Sequence, residues 1–383
     1  MNAENITIDL LRKLPKTDLH VHLDGSLRLE TILDLADRYS IRLPANDLAG
    51  LKKEIVVDDD CKSLVDYLKA FDITLKVLQT DEALERAAFE LAEDAARENV
   101  RYMEVRFAPI LHTNNLMSLE QIISSVVEGL KRAERTYNIQ TGLIICGMRH
   151  FNSDVSLMSK RLQDRLSTFT DHELSELLAL ETAKIAVKMS KKEPRIMAFD
   201  LAGAENGFPA KDFYRAFQEI ISGHLSITVH AGEAYGPESI EQAVKYCHAH
   251  RIGHGTRLGE SKAEDENYPT LYRYFKDKRI PLEVCVTSNV QTKTVNSIKE
   301  HPVRKFFDDN LRLTICTDNR LVSNVTVSDE YMKLVKELDF KKKDIEKLLI
   351  YGFESIFLPY EQRKKLFYEV TPEIKKLLYG DKK

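Results

Sequence analysis

His20 and His22 stand two residues apart in the run TDLHVHLD. In an extended strand successive side chains point to opposite faces, so this spacing turns both imidazoles to the same side. Three more polar side chains hold comparable places in other apolar runs: His230 in SITVHAGE, His254 in RIGHGTRL and Asp318 in LRLTICTDN. Burying such groups without partners is costly, and a cation faced by all of them offsets that cost. Neutral imidazoles with one carboxylate suit Zn²⁺, a borderline ion that favours nitrogen and accepts oxygen.

These residues are far apart in the chain, so the fold must gather them. Eight short runs rich in β-branched and apolar residues recur, at 17–24, 102–109, 141–148, 196–203, 226–233, 251–258, 281–289 and 311–319. Each is followed by a polar turn and a segment of helical periodicity, the alternation of a parallel sheet. Eight such units match a closed TIM (β/α)₈ barrel better than an open sheet. Active sites of such barrels form at the carboxyl ends of the strands, where the five polar residues fall. Amphipathic segments at 81–97, 118–136, 237–249 and 326–338 predict the outer ring of helices.

Two connections exceed what a βα unit needs. About 77 residues (25–101) separate the first two strands; the pattern predicts extra helices at 28–38 and 62–78, lying over the barrel mouth. About 47 residues (149–195) separate the third and fourth. Most of that stretch, 151–195, reads as a solvent-facing helical excursion of high charge, ended by Pro194. No linker or low-complexity tract divides the chain, which predicts a single catalytic domain over 1–383.

Composition narrows the partners. Hydrophobic residues at 43% and charged residues at 30% describe a globular chain. A net charge of -4 with both signs interspersed provides no broad basic surface for a nucleic-acid polymer or a membrane, so the expected partner is a small molecule. The oligomeric state is not encoded in any of these patterns. Five widely spaced cysteines lack a CxxC pair, and Cys146, Cys285 and Cys316 lie in apolar runs as core thiols. The charged amino-terminal segment is unlike a signal peptide, and no run reaches the ~18 to 20 apolar residues of a membrane span. These features predict a cytoplasmic protein.

The ordered segments KTDLHVHLDGSL, VRFAP, MRH, FDLAG, VHAGE, RIGHGTRL, TSN and TDN resemble the adenosine deaminases of the amidohydrolase superfamily, from about residue 10 to about 355. The resemblance implies a barrel with one Zn²⁺ per chain that hydrolyses adenosine or 2'-deoxyadenosine to inosine or 2'-deoxyinosine and ammonia. Another 6-aminopurine, adenine or a modified adenosine, is the alternative substrate. Matched residue by residue, His20, His22, His230 and Asp318 take the places of the metal ligands, Asp318 counting also among the catalytic groups. Glu233 takes the place of the acid that protonates purine N1, and His254 that of the histidine which orients and deprotonates the zinc-bound water. Asp24 and Gly203 match positions that contact the nucleoside, with His22 near it. Two-metal members of the superfamily bridge their ions with a modified lysine from the fourth strand; IMAFDLAG has none, which favours one metal.

The reaction explains these residue types. Adenine carbon 6 is a poor electrophile and water a poor nucleophile, so both need activation. Zinc lowers the pKa of bound water toward ~7. A carboxylic acid at N1 draws electrons from carbon 6, which requires Glu233 to keep its proton, as a dry pocket allows. One departure stands out. Many adenosine deaminases carry TDDP after the eighth strand, the second aspartate contacting N7; this chain has Thr317, Asp318, Asn319 and Arg320. N7 is an acceptor, and an amide donates to it at any pH. Arg320 adds a cation that either pairs with a carboxylate or meets an acidic substituent on the substrate.

Overall fold

The eight apolar runs form eight parallel strands hydrogen-bonded in chain order: Lys16–His22 (β1), Val100–Phe107 (β2), Gln140–Met148 (β3), Ile196–Ala202 (β4), Ser226–Ala231 (β5), Arg251–His254 (β6), Leu282–Val284 (β7) and Leu313–Ile315 (β8). The computed structural model describes residues 6–57, 61, 63–150, 156–261 and 270–380. The first and last strands meet through a parallel bridge between Val21 and Asp318, where His22 N–H donates to the Asp318 carbonyl at 2.7 Å and Asp318 N–H to that of His20 at 2.8 Å. This is the expected (β/α)₈ barrel.

Helices wrap the barrel because their sequences supply a start signal and one apolar stripe. Asp81–Arg97 begins at Thr80, whose side chain accepts from Ala83 N–H, and buries Leu84, Ala88, Leu91 and Ala95 along one face. Ser118 with Gln121 forms a capping box for Leu119–Thr136, as Thr326 with Asp329 does for Val327–Leu338. Each such cap contributes about 0.5–2 kcal/mol. Gly129 lets the first two of these helices pack closely, since a Cβ there would run into the Glu85 carbonyl oxygen.

The stretch 151–195 differs from its expected role. Residues 151–155 lie outside the described residues, and Leu157–Arg165 forms a short helix. Asp171–Ser190, however, buries Leu174, Leu178, Ala179, Ala183, Ala186 and Val187 and packs on β3 and β4. It is the regular crossover helix of the third βα unit, not a solvent-facing excursion. Its buried stripe includes three alanines and the polar Ser175 and Thr182, too weak an apolar signal to stand out among the charges at Glu173, Glu176, Glu181 and Lys184.

The first long connection contains helices at Leu29–Arg38, Leu48–Ile55, Leu64–Leu68 and Phe71–Val77, so the segment expected at 62–78 is broken in two. They crowd the barrel mouth: Val57 N–H donates to the Val322 carbonyl at 2.9 Å, and the Tyr67 hydroxyl bonds Ser323 Oγ at 2.7 Å. The late strands stop short of their apolar runs. Beyond Val284 the chain winds into the helix Val286–Gln291, so the TSN segment is helical.

The barrel interior is charged rather than filled by aliphatic layers. Arg106 Nη1 lies 3.0 Å from Asp200 Oδ2, and its Nη2 lies 2.8 Å from Glu283 Oε2. Arg251 Nε reaches Glu283 Oε1 at 2.6 Å and its guanidinium also binds Glu104. All five side chains are fully buried. A buried pair survives only when it is complete; losing one partner costs about 3–5 kcal/mol.

Candidate active site

His20 and His22 leave β1 on the same face, as their spacing requires, and meet His230 from β5, His254 from β6 and Asp318 after β8. The ring centroids of His20 and His230 are 4.6 Å apart, and those of His20 and His254 4.8 Å. Asp318 Oδ1 lies 3.5 Å from Nε2 of both His20 and His22, and His22 Nε2 lies 3.2 Å from His230 Nε2. One donor atom from each of His20, His230, His254 and Asp318 falls within 4.8 Å of the others. His22, the remaining ligand position read from the sequence, lies outside that set of four and borders it through His230 and Asp318, while His254 stands within it.

Local backbone geometry aims these groups. His254 and Asp318 have φ of +63° and +62°, a left-handed conformation uncommon outside glycine, at the points where the chain leaves the sheet. Such conformations persist where the surroundings over-determine them, typically at functional sites. Behind the imidazoles lies the interior network. Glu283 Oε2 is 2.9 Å from His20 Nδ1, and Asp200 Oδ2 is 2.9 Å from His230 Nδ1. Burial pushes both carboxyls up, but Arg106 with Arg251 at Glu283, and His230 with Arg106 at Asp200, hold them well below the usual carboxylate range. Ionised carboxylates accept the Nδ1 protons and leave both Nε2 lone pairs facing the site, the arrangement common to metal-bound histidines.

The residue pattern and its order match the adenosine deaminase family model over residues 15–177 and 165–373. The chain is 39% identical to an adenosine deaminase of Vibrio atlanticus over 353 residues, covering 92% of this chain and 96% of that one. The chain belongs to the adenosine deaminase family. A probable adenosine deaminase of Dictyostelium discoideum is 36% identical over 93% of this chain, which spans only 42% of that longer protein. Among solved structures, an adenine deaminase from Arthrobacter aurescens superposes with a TM-score of 0.80 at 26% identity, covering 94% of this chain and 99% of that one. As a member of the adenosine deaminases, the chain is a hydrolytic deaminase of adenosine.

In this adenosine deaminase the His/Asp group fits a divalent cation. His20 Nε2 is buried without a hydrogen-bond partner, as are Asp24 Oδ1 and Glu233 Oε1 beside it; orphaned atoms of this kind are rare in folded proteins. Burial pushes Asp318 up, but its closeness to His20, and then to His254 and His22, holds it well below its usual range. Ser288 Oγ donates to its Oδ2 at 2.6 Å.

Glu233 shows the opposite electrostatics. Burial, then the charges of Asp318 and Glu205, push its carboxyl well above the usual value. Its Oε2 is 3.5 Å from His254 Nε2. Asp24 is pushed to about 7 by burial and by Asp318. Gly203 has φ of +97°, and a Cβ there would stand 2.8 Å from His150 Nδ1, itself buried and unpartnered. Asn319 is buried over Gly25, where any Cβ would collide with its amide, whose oxygen is buried and unpartnered.

Arg320 does not face this site. Its guanidinium pairs with Glu98, with Asp18 Oδ2 at 3.6 Å, which selects the ion-pair reading over contact with a substrate. Sequence reasoning missed Arg106, Asp200, Glu283, Glu205 and His150. Glu205 accepts from Ala234 N–H at 3.0 Å and Tyr235 N–H at 2.7 Å, pinning the loop that carries Glu233. His150 stood in the MRH segment, and Asp200 in FDLAG, but a charged residue mid-strand has no local signal of its partner.

Proposed function

We propose that this site deaminates adenosine and 2'-deoxyadenosine with one Zn²⁺ per chain held by His20, His22, His230 and Asp318. A bound zinc ion would supply Lewis acidity, lowering the pKa of water toward ~7. Glu233 delivers a proton to purine N1 as water oxygen adds to carbon 6; the proton that water sheds passes to the Asp318 carboxylate and on to the exocyclic amine, which departs as ammonia, and the new hydroxyl returns its proton to Glu233 to leave inosine. The observation that carries this reading is the Glu233 carboxyl, buried, unpartnered at Oε1 and pushed upward by burial and by Asp318 beside an imidazole and carboxylate cluster. A surface carboxylate would be ionised at neutral pH and unable to donate.

His22, Asp24, Gly203 and Asn319 line the nucleoside. Gly203 brings backbone close to a flat ring, which a side chain at φ +97° would prevent. The amide of Asn319 donates to N7. Adenine itself is the second reading, favoured by the likeness to an adenine deaminase. We place the enzyme in the cytoplasm as a single catalytic domain. Five free thiols suit a reducing compartment, and among the described residues no helix is long and apolar enough to cross a membrane.

Ammonia release should be followed across adenosine, 2'-deoxyadenosine, adenine, N6-methyladenosine and AMP, with zinc content measured on the same sample. Highest kcat/KM for the first two, with one zinc per chain, is the expected result. Preference for the free base would replace the substrate assignment. Two tightly held ions would point instead to the two-metal amidohydrolases, and tight nucleoside binding without turnover to a barrel kept only for binding.

A further inference from the structure

The proton on His254 can be located from a chain of hydrogen bonds that starts at a backbone amide. Val303 N–H can only donate, and it points at His301 Nδ1 from 3.1 Å, so Nδ1 accepts and is bare. His301 is buried, and burial lowers its pKa to about 3. The ring is therefore neutral near pH 7, with its one proton on Nε2. That nitrogen lies 3.1 Å from the Asn289 side chain, which must present its oxygen there; Thr256 Oγ donates to the same oxygen at 3.1 Å. The Asn289 amide nitrogen is thereby turned toward His254 Nδ1, 3.1 Å away. An amide NH₂ donates, so His254 Nδ1 accepts, and the proton of His254 belongs on Nε2.

Nε2 is the nitrogen that faces the site, 3.5 Å from Glu233 Oε2. His20 and His230 are set the other way round. Their Nδ1 atoms face the carboxylates of Glu283 and Asp200, leaving Nε2 bare and pointing inward. Of these three imidazoles, the two backed by carboxylates offer a lone pair to a metal, whereas His254 offers a hydrogen. An imidazolium at His254 would set two donors against each other at Asn289.

We propose that Asn289 and His301 are positioning residues which hold His254 as the Nε2–H tautomer, so that it serves the site as a hydrogen-bond donor and neither as a metal ligand nor as a proton acceptor. This rests on the placement of His254 in the deaminase site; of the two roles expected from the family resemblance it keeps the orienting of water and drops the removal of its proton. A donor at that point orients the oxygen that will attack carbon 6 and favours negative charge on it.

Nitrogen-15 NMR of the full-length protein labelled at histidine tests the proposal without turnover, with the His254 signals assigned by their loss in His254→Asn. In wild type, both metal-free and zinc-loaded, Nδ1 of His254 should give an unprotonated shift and Nε2 a protonated one. A protonated Nδ1 would overturn the proposal. Asn289→Asp presents an acceptor in place of the amide NH₂ and should reverse the two nitrogens. In that variant kcat should fall roughly 10- to 100-fold, the range typical of groups that orient a site from behind, with KM and zinc content little changed. Unchanged nitrogens in Asn289→Asp would also refute it. His301→Gln, whose amide still donates to Asn289, should keep the wild-type tautomer, whereas His301→Ala should give a mixture. The expected tautomers in a protein inert toward every aminopurine would sink the functional reading and leave the positioning one intact.

Discussion

Glu283 Oε2 lies 2.9 Å from His20 Nδ1 and accepts its proton, while Arg106 holds the same oxygen at 2.8 Å. The metal-facing nitrogen of His20 is thus made more basic by a residue that never touches the site. Glu283→Gln keeps the shape but removes the charge. It is expected to weaken zinc binding roughly 10- to 100-fold, read by competition with a chelator. It should also lower Tm, because Arg106 and Arg251 lose a buried partner. Unaltered zinc affinity would mean that His20 does not depend on this carboxylate.

Glu233→Gln tests the proton donor. The amide fills the same space and has no proton of suitable acidity, so kcat should fall by roughly 10²- to 10⁴-fold, the usual worth of a positioned acid. Zinc content and binding of an unreactive nucleoside should stay near wild type. Activity within a few fold of wild type would remove Glu233 from the chemistry.

What could be read from the sequence follows from how locally each feature is encoded. β1 declares itself because His20 and His22 share a two-residue period, and Asp81–Arg97 because its apolar stripe and Thr80 cap lie within one helix. The inward side chains His230, His254 and Asp318 were recognisable from their places at strand ends. Their supporting carboxylates were not, since Asp200 and Glu283 become partners of His230 and His20 only when distant strands close a ring. Arg320 illustrates the same limit: next to a metal ligand in sequence, its guanidinium turns to Glu98, 222 positions away. The helix Asp171–Ser190 diluted its buried face with small and polar residues, Ala179, Ala183 and Ala186 beside Ser175 and Thr182.

Asn319 lies over Gly25, and each constrains the other. Asn319→Asp would donate to N7 only while protonated, so its kcat/KM should decline as pH rises through the pKa of the new carboxyl. The wild-type amide has no such limb. Parallel pH profiles would show that position 319 does not touch the purine.

Gly25→Ala approaches the same contact from the other side. The added methyl group cannot coexist with the Asn319 amide where it now sits, so the amide must move. A displacement of the size of a methyl group should cost roughly 10²-fold in kcat/KM, with zinc content unchanged. Retained activity would show that the Asn319 position tolerates displacement, against a role in holding the ring.

His112 gives a pH dependence of stability separate from catalysis. Its buried ring sits with Nδ1 2.8 Å from the Leu78 carbonyl oxygen, to which it donates, and burial lowers its pKa from 6.5 to about 4. Between those values the unfolded chain takes up a proton that the folded one refuses. The stabilisation is therefore complete above pH 6.5 and is lost as pH falls toward 4, on the order of 3 kcal/mol in full. His112→Asn preserves a donor toward Leu78 but has nothing to protonate. Urea unfolding of the two proteins from pH 7.5 to 4.5 should show wild type losing stability faster, so that the gap between them narrows or reverses on acidification. A pH-independent gap would mean that His112 titrates alike in both states.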